Sequence, residues 1–114
     1  FVGDHSFVNN RLNTVFNGAL ELAKVYDPDA YIQIATDHFY DNRLNRKRRE
    51  IQEINAVKKE LRTRDNIAIA SANYHGVHFS KTFGFDRNGS IVTGCIGFGV
   101  DRWINAAKKR ENDL

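Results

Sequence analysis

The sequence has no methionine, a single proline (Pro28), a single cysteine (Cys95) and a single tryptophan (Trp103). Each scarcity excludes something. One cysteine cannot close an internal disulfide, so burial and hydrogen bonding must hold the fold, and the usage points to a reducing, cytoplasmic setting. One proline and no Gly/Ser/Pro-rich run leave no composition break to mark a linker, so the 114 residues, 1–114, read as a single domain. No apolar run approaches the roughly 18 residues of a membrane-spanning helix, and none is expected. The first residues lack the charged, apolar and small-residue layout of a secretory signal. A chain without methionine does not begin as a translation product begins, and Phe1 reads as a cleavage or excerpt boundary.

What is present suits a globular chain. Hydrophobic residues make up 41%, with eight Phe and four Tyr to fill one modest core. The net charge is +3, from 17 basic and 14 acidic residues. That balance is compatible with an anionic ligand and does not require nucleic acid. The basic excess is local, at Arg43, Arg46, Lys47, Arg48 and Arg49 and again at Lys108, Lys109 and Arg110. The first cluster reads as a solvated helix face, and a nucleic-acid-binding reading of it lacks the interleaved aromatic residues that single-strand binders use.

Leu12, Val15, Phe16, Ala19, Leu22, Ala23 and Tyr26 recur at helical spacing, which predicts a helix over 9–26 that stops at Asp27-Pro28. A short strand is expected over 31–35. A second, highly charged helix is expected over 46–62, with Ile51, Ile54, Val57 and Leu61 as its seam. An apolar strand follows over 67–72. Segments 78–85 and 91–98 flank Asp86-Arg87-Asn88-Gly89, whose Asn-Gly pair predicts a β-hairpin. A last helix is expected over 100–109, with Trp103 in the core. The fold class is therefore α+β, an antiparallel sheet with flanking helices.

Chemistry concentrates between Thr93 and Trp103. On a strand, Cys95, Gly97 and Gly99 share one face while Ile96 and Phe98 point to the other and can enter the core. The first face is nearly free of side chains and carries one thiol. Glycine weakens a strand unless something approaches its backbone closely, and that something could be a flat ligand such as a purine ring or a packed helix. Arg102 falls in the first turn of the next helix, where a guanidinium can stack on a ring or hold a phosphate. His75 and His78 would lie on opposite faces of a strand and so share no metal ion, no Cys–His pairing is evident from order alone, and His5 and His38 read as surface or capping residues.

The order strand, Gly97-Phe98-Gly99, Asp101-Arg102, helix resembles motif 3 of the class II aminoacyl-tRNA synthetase superfamily, G-x-G-x-(D/E)-R. Within it the chain is most similar to the amino acid–carrier protein ligases, which are related to seryl-tRNA synthetases. Ser71-Ala72-Asn73-Tyr74-His75-Gly76-Val77-His78-Phe79, then Phe83-Gly84-Phe85, resembles their S-x-N-Y-H-x-x-H-F and (F/W)-G-(I/F) stretch. Thr93-Gly94-Cys95-Ile96-Gly97-Phe98-Gly99 resembles T-(A/G)-C-(V/I)-(A/G)-F-G, and Ala35-Thr36-Asp37-His38-Phe39-Tyr40 resembles A-(T/S)-D-P-F-F with His38 in place of proline. The match runs from about Phe1 to Trp103 in the family's order.

The resemblance implies the C-terminal part of a larger catalytic domain. It further implies an enzyme that activates a small amino acid with ATP and Mg2+ to an aminoacyl-adenylate. The aminoacyl group would pass to the phosphopantetheine thiol of an acyl or peptidyl carrier protein, with tRNA not expected as acceptor and a homodimer expected for the full-length enzyme. Arg102 would be the catalytic, ATP-binding arginine, with Gly97 and Gly99 beneath the nucleotide. Asn73 and His75 would bind substrate. Cys95 would be the last of three Zn2+-ligand positions, the other two lying upstream of Phe1 in this register, as do motif 1 and the motif 2 arginine. Ile67 stands where many class II synthetases place a magnesium-binding carboxylate. The chain alone is therefore expected to be inactive or feeble, and a non-catalytic, synthetase-like binding or regulatory module is the alternative.

Overall fold

Asp4 starts the first helix. Its carboxylate accepts the Phe7 N–H at 2.8 Å, capping α1 (His5–Tyr26) and satisfying a donor that has no partner inside the helix. The computed structural model describes residues 1–35, 58–84 and 89–113. α1 begins earlier than the apolar stripe predicted, because the cap supports a first turn that carries only one core residue, Val8. Behind it Leu12, Phe16, Ala19 and Ala23 are buried at spacings of three and four. The helix stops at Asp27, which is extended; its N–H reaches Ala23 O, and its buried carboxylate accepts the N–H groups of Asp29 and Arg64. One side chain thus ends the helix and ties it to a turn far along the chain.

The sheet contains β1 (Val2–Gly3), β2 (Tyr31–Ile34), β3 (Lys58–Arg62), β4 (Ala68–Gly76) and β5 (Val92–Phe98) in the order β1-β5-β4-β3-β2, with every pairing antiparallel. The fold is α+β, as expected. α1 lies across one face and buries Leu61, Ala70 and Ala72 with its own Phe16, Ala19 and Ala23. Register places Leu61 opposite Ala70 but Arg62 opposite Ala68, so Ile69 is an extra, bulged residue. Both Ile69 and Ala70 are buried. The Ile69 carbonyl accepts Gly99 N–H and Trp103 Nε1–H, each at 2.8 Å, and so anchors α3 (Val100–Asp113) to the sheet. Trp103 packs on the core as expected. Ile96 does too, whereas Phe98, expected to enter the core, is about half exposed.

Two further expectations fail. The predicted helix over 46–62 is contradicted where it is described: Lys58–Arg62 is β3. This charged pentapeptide favours helix locally, but it lies between β2 and β4, with ladder bonds on both sides and Leu61 fully buried. Tertiary pairing overrides propensity. The rest of that helix, the Arg43–Arg49 cluster, His38 and the motif from Thr36 to Tyr40 lie outside the described residues. The predicted strand over 78–85 is instead a short helix, α2 (His78–Thr82). Gly76 at φ 57° turns the chain out of β4, and the Ser80 and Thr82 hydroxyls then donate to Val77 O and His78 O. β5 consequently pairs with β4 rather than with the segment before Asn88-Gly89. Gly89 does adopt the positive φ, 73°, expected of that turn.

Candidate functional site

The face of the sheet away from α1 follows from the register. Cross-strand partners share a face, and β4 and β5 pair Ser71 with Gly97 and Asn73 with Cys95. β3 adds Glu60 opposite Ser71 and Lys58 opposite Asn73. These residues therefore line one polar surface, and the expected alternation of Cys95 and Gly97 against Ile96 holds.

The two explanations open for glycine in this strand are both realised, at different positions. A Cβ on Gly94 would meet Leu12 Cδ1 at 2.8 Å, Val8 Cγ1 at 3.0 Å and Asn73 O at 3.0 Å, so Gly94 admits the helix. A Cβ on Gly97 would meet only Ser71 Oγ, at 3.8 Å, so Gly97 leaves bare backbone on the polar face. Gly99 lies under Arg102, whose Cδ would be 3.3 Å from an added Cβ.

At one end of this platform Arg102 Nη1 donates to Ala68 O at 2.6 Å, fixing the guanidinium. Arg102 also lines a cleft of about 590 Å³ with Glu60, Arg62, Ala68, Asn105 and Lys109. Arg62 pairs with Glu60 and donates to Asn66 O and Oδ1 at 3.0 and 3.1 Å. Asn66 turns β3 into β4 at φ 63°, and Tyr31 Oη–H donates to its Oδ1 at 2.7 Å. Lys109 bonds Asp65 at 2.6 Å, and this hydrogen bond, with the ammonium charge, holds the Asp65 carboxyl below its usual range. Arg62 Nε is buried without a hydrogen-bond partner among the described residues. A fixed guanidinium beside a bare glycine backbone has the chemistry to hold a phosphate and to admit a flat ring.

At the other end, β4 and β5 pair Tyr74 with Gly94 and Gly76 with Thr93, leaving His75 as a second bulged residue. The bulge brings His75 Nε2 to 3.5 Å from Cys95 Sγ and His75 Nδ1 to 3.0 Å from Thr93 Oγ1. Asn73 Nδ2 donates to Ser71 Oγ at 3.3 Å. Burial lowers the His75 pKa, aided by the positive charges of the Phe1 ammonium and His78. Phe79 presents edge contacts to both imidazoles, with centroids 4.8 Å from His75 and 4.9 Å from His78. His78 stands on α2 rather than on a strand, which removes the premise that the two histidines occupy opposite strand faces. His5 is exposed, as expected, and its Nδ1 lies 2.7 Å from Tyr74 Oη.

The sheet thus gathers Asn73, His75 and Cys95 at one end and Gly99 and Arg102 at the other, with Gly97 between. From Cys95 to Gly99 the strand covers about 13 Å. Sequence reasoning missed the Cys95–His75 pair and the β3 contribution of Lys58, Glu60 and Arg62. The motif order did not pair Ser71–His75 with Thr93–Gly97; the β4–β5 register does, and its bulge brings His75 to the thiol. For Zn2+, the described residues supply Cys95 and His75 and no group of three His, Cys, Asp or Glu side chains. For Mg2+, Ile67 offers no ligand, and Glu60 is engaged by Arg62.

No protein-family model matches the chain. It is 32% identical over 113 residues to the type-2 serine–tRNA ligase of Methanococcus aeolicus, covering 90% of this chain and 22% of that one. The same enzyme of Methanocaldococcus jannaschii is 31% identical over 114 residues, covering 91% and 22%. That of Methanothermobacter thermautotrophicus is 36% identical over 81 residues, covering 65% and 16%. The chain spans about a fifth of the length of the first two relatives. No helix among the described residues is long and apolar enough to cross a membrane. With similarity along nine-tenths of its length and a five-stranded antiparallel sheet flanked by helices, the chain is class II aminoacyl-tRNA synthetase-like.

Proposed function

We propose that this chain contributes the nucleotide-facing part of a site that activates a small amino acid with ATP, forming an aminoacyl-adenylate. The observation that carries the reading is the bare backbone at Gly97, bounded by the fixed Arg102 guanidinium and by the polar set of Asn73, His75 and Cys95. Adenylate formation depends on holding a carboxylate near the α-phosphate and on neutralising phosphate charge. Gly97 and Gly99 would carry the nucleotide, Arg102 would bind its phosphates, and Asn73 and His75 would face the amino acid. Mg2+, when bound with ATP, would offset the remaining phosphate charge.

Serine is the first amino acid to test, because the matched relatives are named serine–tRNA ligases. Those names also make tRNA the better-supported acceptor, against the expectation that tRNA plays no part. Transfer to a carrier-protein thiol is the second reading, and it rests on the Ser71–Phe79 and Thr93–Gly99 motifs. ATP–pyrophosphate exchange is the deciding experiment, on this chain and on any longer natural form of it, with serine, alanine and glycine. Exchange that Arg102→Ala lowers by about 100-fold or more, the scale of a lost transition-state charge contact, would support the reading. Loading of radiolabelled amino acid onto tRNA or onto a phosphopantetheinyl carrier protein then identifies the acceptor. ATP binding without exchange by the longest form would favour the non-catalytic module.

A further inference from the structure

We propose that Asn66 is a positioning residue for Arg102, acting through the carbonyl of Ala68, with Tyr31 and Arg62 holding the asparagine in place. That Arg102 meets phosphate rests on the adenylate reading; the clasp that fixes its guanidinium stands on the hydrogen bonds of the β3–β4 turn. Asn66 has φ 63° and is the only residue other than glycine with a positive φ among the described residues. Of the residues with a Cβ, asparagine is among those that tolerate this conformation best, and here its amide oxygen also makes bonds that glycine could not. Asn66 Oδ1 accepts Tyr31 Oη–H at 2.7 Å and Arg62 Nη1–H at 3.1 Å, and the Asn66 carbonyl accepts the same Nη1 at 3.0 Å.

The turn passes this hold on to the arginine. Thr63 N–H donates to Ile67 O at 3.0 Å, Asn66 N–H to Thr63 O at 2.9 Å, and Ile67 N–H to the buried Thr63 hydroxyl at 3.3 Å. Residues 63–67 thus close on themselves, and the conformation of Asn66 decides where they deliver the chain. Asp27 accepts Arg64 N–H and Lys109 bonds Asp65, which ties the same turn to the end of α1 and to α3. The residue delivered is Ala68, whose carbonyl accepts Arg102 Nη1 at 2.6 Å. Arg102 is otherwise exposed, so this contact aims its guanidinium. A guanidinium aimed in advance loses less freedom when a phosphate arrives. The helix has a separate anchor in the Ile69 carbonyl, which holds Gly99 N–H and Trp103 Nε1–H, so loosening Asn66 releases the guanidinium without undocking α3.

Asn66→Gly is the test, because glycine keeps the positive φ and removes only the amide, while Asn66→Asp restores the acceptor and serves as rescue. The first readout is 15N NMR of the 114-residue chain, with Arg102→Lys assigning the signals. A hydrogen-bonded guanidinium turns slowly about its Nε–Cζ bond, so Arg102 should show two separate Nη resonances. They should merge in Asn66→Gly and stay separate in Asn66→Asp, with circular dichroism checking that each variant is folded. Tyr31→Phe, a milder change at the sheet edge, should speed the exchange between them. The second readout is ATP–pyrophosphate exchange, in any form of the protein that catalyses it. Asn66→Gly should lower kcat/KM for ATP about tenfold, and lower it no further once Arg102 is replaced by alanine, the coupling expected of residues that act as one unit. A single Nη resonance in the unmodified chain, two resonances persisting in Asn66→Gly, or equal losses with and without Arg102 would each overturn the proposal. Absence of exchange in every form counts against the adenylate reading alone, and the resonances still decide this one.

Discussion

The two faces of the sheet are made by the same strands and do opposite things. On the α1 side, Leu61, Ala70, Ala72 and Ile96 close against the helix, and Gly94 admits Leu12 and Val8. On the other side, Ser71, Asn73, Cys95 and Gly97 stay open around Arg102 and His75. Gly94 and Gly97 stand three residues apart in β5, yet one is a packing residue and the other a surface one. A glycine in a strand therefore says that something comes close on one side, and only the partner on that side says what it is.

The comparison can be broken most severely at the closed face. Leu61→Ala removes a fully buried side chain and should cost about 2–5 kcal/mol, read from urea unfolding, while leaving the open face chemically unchanged. A smaller and sharper contrast separates the two glycines. Gly94→Ala forces a methyl against Leu12, Val8 and the Asn73 carbonyl and should cost about 1–3 kcal/mol. Gly97→Ala should change stability by less than about 0.5 kcal/mol and instead weaken ATP binding, measured by calorimetry. Equal losses of stability at the two positions would dissolve the distinction between the faces.

The smallest effect is in pH. Burial disfavours charged His75, so its folded-state pKa lies below the ordinary 6.5, and between those values the unfolded chain binds more protons than the folded one. Stability of the metal-free chain should therefore be fully present above pH 6.5 and decline as the pH falls through the folded-state pKa. His75→Gln should flatten that part of the profile. An unchanged slope would assign it to another group.

Much of this was legible in advance, for local reasons. The α1 stripe announces itself by spacing, Asp27-Pro28 by its inability to continue a helix, and the faces of Cys95, Ile96 and Gly97 by strand alternation. Arg102 does sit in the first turn of its helix, where the motif placed it. Lys58–Arg62 was illegible because its residues favour a helix unless neighbours supply ladder bonds, and Leu61 alone marks a burial that depends on β2, β4 and α1. α2 was hidden in the same way, since an Asn-Gly turn after it suggested a hairpin whose second strand had already found β4.

By itself, then, the sequence determined the fold class, the main amphipathic helix and the order of motifs that ties the chain to class II synthetases, because these depend on side-chain type and on spacing along a few turns. Tertiary structure alone decided the two bulges. An extra residue at Ile69 gives α3 its carbonyl anchor, and another at His75 swings an imidazole onto the thiol of Cys95. A bulge is a choice of register between strands far apart in the chain, settled by the sum of pairing and burial on both sides. No local pattern encodes that sum.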